Sequence, residues 1–314
     1  MWFILSIAAL VCWSGSDLFS KIGSKPDDRY SHWKMVMAVG LVMGLHAAYE
    51  IFVGGVRLTL NDILVYLPAS ALYIISMIFG YIALRYIELS ISSPICNSSG
   101  ALAAVLCILF LGQQTEPIVI AAIAVVAIGV LMLGFVNMKE DDEVRELRQK
   151  NSNVKYTKSL LAIMLPIFYC IIDAAGTFVD TLILREEETG TFFDAVFKTT
   201  MPEEKANVAY ELTFLAMGIA AAIYVLIIRK EKLIVRREGP KLLGGICETA
   251  GQFAYIFALG DTAHAASAAA IISAYCAMST VWSAIFLKER LSYKHYIAIA
   301  TIVVGIVVLG VFDV

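Results

Sequence analysis

The chain has few charged residues and very little histidine. Charged residues make up 16% of its 314 positions, hydrophobic residues 60%, and histidine occurs four times. A soluble fold of this length could not keep so much apolar surface away from water. The composition therefore excludes a soluble protein and predicts one that lies in the lipid bilayer.

Several signatures of catalysis and of cofactor binding are also missing. No Gly-x-x-x-x-Gly-Lys-Ser/Thr loop occurs, which excludes ATP binding through that motif. The four histidines are scattered, and the six cysteines all fall inside apolar stretches without metal-ligand spacing, which is typical of packing residues. We therefore expect no cofactor, no metal, no nucleic-acid partner and no enzymatic activity.

Long uncharged runs remain, and a run of about 20 apolar residues is enough to cross a bilayer as a helix. The first run begins at Trp2 without a basic leader and continues at full length, so we interpret it as a span and not as a cleaved signal. The sequence predicts ten spans, at residues 2–21, 35–53, 63–84, 91–111, 117–137, 159–184, 207–228, 242–259, 263–287 and 295–312.

Basic residues are distributed unevenly among the loops. All but four of the 24 lysines and arginines fall in the odd-numbered loops, the exceptions being Arg57, Arg185, Lys198 and Lys205. The positive-inside rule assigns loops rich in basic residues to the cytoplasm. We therefore predict a multi-pass protein of the cell (inner) membrane, with both termini outside the cytoplasm.

The chain also divides into two similar halves. A charged linker, 139–158, separates five spans in 1–138 from five spans in 159–314. The closing segments of the halves, FLGQQTEPIVIAAIAVVAIGVLMLGF and FLKERLSYKHYIAIATIVVGIVVLGV, align so that Gly129 matches Gly305. Because five is odd, equivalent halves run in opposite directions, which is a known transporter plan. The predicted fold is an all-α integral membrane protein of ten transmembrane helices in two inverted five-helix repeats.

With these features the sequence resembles the drug/metabolite transporter superfamily, specifically its EamA-type branch. The resemblance covers essentially the whole chain and is carried by the passage AL-x-Y…S-x-x-S-P from Ala83 to Pro94 and by the closing pattern of Glu289, Leu291 and Gly305. It implies a secondary transporter of a small organic solute, with spans 1, 3, 4, 6, 8 and 9 around a central cavity. Gln113 stands in the first half where the second has Glu289; such departures leave the solute open.

Polar residues follow one face of each of these six spans at helical spacing. An acid inside a membrane helix is costly, so it usually has a partner or a function. In span 1 an aromatic residue is followed four positions later by an acid, and span 6 repeats this pattern. The residues proposed to bind the solute are Trp13, Asp17, Tyr73, Asn97, Tyr169, Asp173, Glu248, Gln252, Tyr275 and Trp282.

The sign of the charge within these spans indicates a cationic solute. The acids at membrane depth are Asp17, Asp173 and Glu248, and the base nearest to them is Lys21. Carboxylates together with aromatic rings suit an amine or a quaternary ammonium compound. Burial disfavours an ionised carboxylate and a bound cation favours it, so each of the three acids is also a candidate for proton coupling. An antiporter that works by alternating access is the resulting hypothesis.

Other interpretations stay open. Asp17 and Lys21, four residues apart, also fit a neutralising ion pair. Asn97 and Gln252 suit a neutral or zwitterionic metabolite, such as an amino acid or a nucleoside. General acid/base chemistry by the acids, in an intramembrane enzyme, is a remote alternative.

A few polar residues outside the proposed site carry expectations of their own. Asp180 lies near the outer end of span 6, where we expect it to be solvated. We expect His46, Glu50 and Glu211 to be hydrated or mutually paired. The pair Gly40-x-x-x-Gly44 in span 2 indicates either close helix packing or the face of a homodimer.

Overall fold

Helices make up almost all of the computed structural model, which describes residues 1–24, 28–87, 89–111, 116–138, 160–185, 192, 196, 200–288 and 291–312. No strand occurs in this part of the chain. Ten of the helices are long and apolar enough to cross a membrane, which confirms the predicted number of spans. Spans 1 to 10 are Trp2–Gly23, Ser31–Phe52, Leu60–Tyr86, Leu89–Leu111, Pro117–Met138, Leu160–Leu184, Glu203–Ile228, Val235–Gly260, Thr262–Phe286 and Tyr293–Phe312.

Two of the spans are not continuous α-helices. Span 7 is α-helical over Glu203–Ala222 and continues as a π-helix over Ile223–Ile228. Span 9 begins with a 3-10 turn and then consists of two helices, Ala265–Ser273 and Tyr275–Phe286, which meet at Ala274. Such irregular turns within helices often mark functional positions. The sequence predicts both spans but not their irregular turns.

The packing of the helices has an internal symmetry. Span 1 packs along span 8, and span 3 packs along span 6. These two contacts are equivalent, because spans 1 and 3 of the first half correspond to spans 6 and 8 of the second half. Spans 2 and 7, 4 and 9, and 5 and 10 each pack against their own counterpart. Two inverted repeats related by a two-fold axis produce this pattern, so the predicted fold class is confirmed. The proposed linker 139–158 lies outside the described residues, and the domain boundaries stay a prediction.

Glycines allow close contact between spans 5 and 10, which are counterparts under this symmetry. A Cβ atom on Gly129 would lie 2.5 Å from Ile302, and one on Gly305 would lie 2.6 Å from Val126. These two glycines align between the halves in the sequence, and each faces the opposite half. The alignment made from the sequence therefore corresponds to reciprocal packing of spans 5 and 10. Glu289, which carried the resemblance, and Gln113, which departs from it, both lie outside the described part of the chain.

The glycine pair of span 2 packs within the same chain. A Cβ atom on Gly40 would lie 2.8 Å from the Phe214 carbonyl oxygen and 2.9 Å from the Gly218 Cα, and one on Gly44 would contact Leu215. Both glycines thus face span 7, which confirms the interpretation as close helix packing. A homodimer stays a prediction to which this pair contributes no surface.

Burial differs between the spans and shows where the centre of the molecule lies. Spans 8 and 9 have the largest buried share, 61% and 67%, whereas spans 7 and 10 have the smallest, 28% each. Large apolar side chains remain exposed on the outside of the bundle, for example Leu45, Ile227 and Val304. Polar side chains are instead concentrated between the central spans, where the candidate site is found.

Candidate functional site

A cavity lies between the central spans of the two halves. Its walls come from spans 1, 3, 4, 6, 8 and 9, the six that the resemblance implied, together with Tyr210 of span 7. Of the ten residues proposed from the sequence, all but Trp282 are among the described residues that line it. Their role in binding stays a prediction, but the structure brings nine of them to one place.

Asp17 enters the cavity from span 1 and is held by serines from both halves. Its Oδ2 accepts hydrogen bonds from Ser93 Oγ at 2.6 Å and from Ser279 Oγ at 2.9 Å. The Lys21 ammonium group donates to the carbonyl oxygens of Leu84 and Ile87, at 2.8 and 2.9 Å. Hydroxyl groups therefore account for the position of Asp17, and carbonyl groups account for that of Lys21, without an ion pair between them.

Asp173 occupies the corresponding position in the second half. Its Oδ1 accepts from Ser76 Oγ at 3.1 Å, and its Oδ2 accepts from Ser99 Oγ at 2.8 Å. Ser99 belongs to span 4, just as Ser279, which binds Asp17, belongs to span 9. In each case the acid lies on the first helix of one half and the serine on the fourth helix of the other. The aspartates thus share this contact between the halves, whereas their second serines differ, Ser93 of span 4 for Asp17 and Ser76 of span 3 for Asp173.

Glu248 of span 8 is the third acid in the cavity wall. Its Oε2 accepts a hydrogen bond from Ser16 Oγ of span 1 at 2.7 Å. Beside it, the indole of Trp13 packs against Tyr255 and Tyr275, with ring centroids 4.9 and 5.8 Å apart. The third carboxylate is therefore close to a group of aromatic rings.

The charged side chains that line the cavity are all acidic. They are Asp17, Asp173 and Glu248, and no lysine, arginine or histidine is among the described lining residues. The described hydrogen bonds to these carboxyl groups come from neutral hydroxyl groups, and none comes from a basic side chain. A cavity with one sign of charge and low-dielectric walls concentrates ions of the opposite sign. Its electrostatics favour a cation and disfavour a phosphate or a carboxylate.

Two amide side chains proposed from the sequence also line the cavity, and they differ in whether their NH₂ group has a hydrogen-bond partner. Asn97 Nδ2 donates to the Ser93 carbonyl oxygen at 2.8 Å. Gln252 is only 2% exposed, and its Nε2 has no hydrogen-bond partner in the described part of the chain. A buried donor without a partner carries a free-energy cost, which a bound acceptor would relieve. Gln252 is therefore available to a solute in a way that Asn97 is not.

Trp282 lies beside the cavity without lining it. Its Nε1 donates to Ser14 Oγ at 3.1 Å, which joins span 9 to span 1. Tyr275 and Trp282 lie in one continuous helix, Tyr275–Phe286, so regular spacing alone did not reveal that Trp282 contacts span 1 instead of the cavity. Tyr210, in contrast, lines the cavity although the sequence does not indicate it, since the resemblance leaves span 7 out of the six central spans and a single tyrosine carries no pattern.

The prediction for Asp180 is wrong. Its side chain is fully buried, and its two carboxyl oxygens lie 2.7 Å from the Tyr66 hydroxyl oxygen and 3.2 Å from the Tyr73 hydroxyl oxygen. Span 3 packs along span 6 and covers this position, which distance along the helix alone did not reveal. The expectation that His46 and Glu211 pair is confirmed, with His46 Nδ1 and Glu211 Oε1 separated by 2.8 Å.

Comparison with known proteins gives one family and one fold. The model of the UAA transporter family matches residues 34–311. A solved structure titled "Crystal structure of protein" has a TM-score of 0.62 and 15% sequence identity, over 98% of this chain and 96% of its own; this likeness establishes the fold alone. No curated protein matches the chain.

Proposed function

The chain belongs to the UAA transporter family, within the drug/metabolite transporter superfamily, and we propose that it moves a cationic amine or a quaternary ammonium compound. The family and the ten spans show that the chain is a multi-pass membrane transporter of a small solute. One observation carries the choice of solute: three carboxylates and a group of aromatic rings line one cavity, and no basic side chain is found among its described lining residues.

Binding follows from the chemistry of this wall. Asp17, Asp173 and Glu248 attract the positive charge, and the serines that donate to them hold the carboxylates in place. Aromatic faces such as those of Trp13 and Tyr275 add about 0.5–2 kcal/mol each to the binding of a desolvated cation. An ammonium group with apolar substituents satisfies both kinds of contact at once.

Transport by alternating access is supported by the way in which the site is shared. The contact of Asp17 with Ser279 joins the two halves, and so does the contact of Asp173 with Ser99. A solute held by these acids is thus held by both halves. Rocking of one inverted repeat against the other around a central site would then expose the solute to each side in turn.

A zwitterionic metabolite is the second candidate, and Gln252 favours it. Its buried amide donor has no described partner, and it faces the same cavity as the acids. An amino acid would place its ammonium group against the carboxylates and its own carboxylate against Gln252. A nucleotide-sugar-like solute, which the family suggests, carries a diphosphate, and phosphate sites use arginine, lysine or helix N-termini. The acidic wall argues against that third class.

A ligand screen separates these solutes. Purified full-length protein in detergent is heated with amines, quaternary ammonium ions, amino acids, nucleosides and nucleotide sugars, and its melting temperature is recorded. We expect the cations to raise it, because a ligand that binds only the folded state stabilises that state. Stabilisation by nucleotide sugars and not by cations would overturn the proposal. Stabilisation by amino acids and not by simple amines would establish the second candidate.

Coupling to protons and the direction of transport need a separate measurement. We propose exchange of the cation for protons, since a bound cation and a proton compete for the same carboxylates. In proteoliposomes, an outwardly or inwardly directed pH gradient is expected to change the rate of amine movement. An equal rate with and without the gradient would exclude exchange and leave facilitated diffusion.

The finer assignments stay part of this proposal. We propose the EamA-type branch, the cell (inner) membrane and external termini on the resemblance and on the basic residues of the odd loops. Labelling of single cysteines introduced at residues 1 and 55 with a membrane-impermeant reagent tests the orientation. Residue 1 is expected to react from outside the cell, and residue 55, in the loop after span 2, is expected to react from the same side.

A further inference from the structure

Asp180 lies outside the cavity wall but is connected to it by hydroxyl groups. Tyr66 and Tyr73 contact its two carboxyl oxygens at 2.7 and 3.2 Å. The Tyr73 hydroxyl oxygen lies 2.7 Å from that of Tyr255, which in turn lies 2.8 Å from Thr177 Oγ1. Thr177 Oγ1 ends the series 3.1 Å from the backbone carbonyl oxygen of Asp173, in the same helix. Tyr73, Tyr255 and Thr177 all line the cavity.

The number of hydroxyl hydrogens in this network indicates whether the Asp180 carboxyl group is protonated. The network has five oxygen–oxygen contacts, but its three tyrosines and one threonine supply only four hydroxyl hydrogens. With an ionised carboxylate, which can only accept, one of the five contacts therefore contains no hydrogen. Two oxygen atoms held so close without a hydrogen between them repel each other.

A hydrogen on the carboxyl group of Asp180 supplies the missing bond. Asp180 then donates to the Tyr73 oxygen, Tyr73 to Tyr255, Tyr255 to Thr177, and Thr177 to the carbonyl group. Tyr66 donates to the other carboxyl oxygen. Every contact then contains one hydrogen, and the bonds run in one direction, from the buried acid to the cavity wall.

Among the described residues, no basic side chain forms an ion pair with Asp180. The titratable side chains facing it from neighbouring helices are the neutral phenols of Tyr66 and Tyr73 on span 3, Tyr210 on span 7 and Tyr255 on span 8. On its own helix, Asp173 is two turns away, and Arg185 donates to the Leu182 carbonyl oxygen.

We infer that Asp180 is a proton-binding site separate from the solute cavity and linked to it through Tyr73, Tyr255 and Thr177. Loss of the proton leaves one contact of the hydroxyl network without a hydrogen. Because Tyr73, Tyr255 and Thr177 also line the cavity, this loss changes the cavity to which the solute binds. Proton binding and solute binding are then coupled, and the coupling is reciprocal. The existence of the proton site stands on the geometry alone, whereas the link to a solute rests on the proposed function.

Infrared difference spectroscopy tests the proton site without any solute. The full-length protein in lipid is titrated with acid and base, and the carbonyl stretch of protonated carboxylic acids is followed. We expect Asp180→Asn to lose one such band that the wild type and Asp173→Asn retain. If the spectrum of Asp180→Asn contained every carboxylic-acid band of the wild type at every pH, the inference would be overturned.

A second variant tests the count of hydrogens. Tyr255→Phe removes one hydroxyl hydrogen and two contacts, which leaves three contacts and three hydrogens around an ionised Asp180. We therefore expect the Asp180 band to disappear at lower pH in Tyr255→Phe than in the wild type. An unchanged titration would show that the network does not hold the proton.

Addition of the amine identified by the ligand screen tests the link to the cavity. In the wild type we expect the amine to shift the pH at which the Asp180 band disappears, and in Tyr255→Phe we expect a smaller shift. If the amine binds and the band does not move, the coupling is overturned. If no amine binds at all, the proposed function fails, while the difference between wild type and Asp180→Asn still decides the proton site.

Discussion

Replacement of Asp17 by asparagine removes one negative charge from the cavity and keeps the shape of the side chain. In the structure, one carboxylate oxygen accepts from Ser93 at 2.6 Å and from Ser279 at 2.9 Å. An asparagine carbonyl oxygen at this position preserves both bonds. The change therefore acts on the remaining group, where an anionic oxygen is replaced by an amide NH₂.

The size of the effect follows from electrostatics. Two unit charges 4 Å apart attract each other by about 4 kcal/mol at an effective dielectric constant near 20. Desolvation of both ions offsets part of this attraction, and hydrogen bonds to charged groups contribute a net value of about 1.5–3 kcal/mol. Since each 1.4 kcal/mol is a factor of ten, we expect Asp17→Asn to weaken amine binding about 10- to 150-fold.

Isothermal titration calorimetry of the purified protein with the amine checks this value. Glu231→Gln is the matched control, because it also removes one negative charge but lies exposed in the loop after span 7. We expect the control to bind as the wild type does. Equal affinity of Asp17→Asn and the wild type would refute the assignment of this carboxylate to the cation site.

Two further predictions concern packing and the cavity wall. Gly40→Ala places a methyl group within 3 Å of Phe214 and the facing backbone of span 7, and should destabilise the protein by about 1–3 kcal/mol. Thermal unfolding checks this value. The control is Gly239→Ala, whose added methyl group contacts nothing among the described residues. Trp13 lines the cavity and Trp33 does not. An amine should therefore change the tryptophan fluorescence of the wild type and of Trp33→Phe, but not that of Trp13→Phe. A full change in Trp13→Phe would contradict binding in this cavity.

Most of the candidate site could be anticipated from the order of residues. The acids Asp17 and Asp173 stand out because a charge in an apolar helix is costly, and their repetition at corresponding positions of spans 1 and 6 directs attention to both. Helical spacing then collected the aromatic and amide residues of the same faces. Trp282 was the exception, because its indole group donates to Ser14 of span 1 and does not line the cavity, a contact that spacing within one helix does not reveal.

Residues with no pattern around them could not be anticipated. Tyr210 lines the cavity as an isolated tyrosine on a helix that was taken to be peripheral. Asp180 looked exposed because it lies near the end of its span, yet Tyr66 and Tyr73 of a neighbouring helix enclose it. Both errors have one cause: the sequence of a helix does not say which neighbour covers each of its sides.

The sequence by itself determined the membrane environment, the ten spans and the two related halves. These properties depend on the order of apolar and charged residues along the chain, because transfer into the bilayer acts on each segment as a whole. The tertiary structure alone decided which polar faces meet in one cavity, that the described residues of its wall bear acids and no base, and that Asp180 is buried in a hydroxyl network. Those properties depend on side chains from helices that are distant in sequence, and only packing brings them within hydrogen-bond distance.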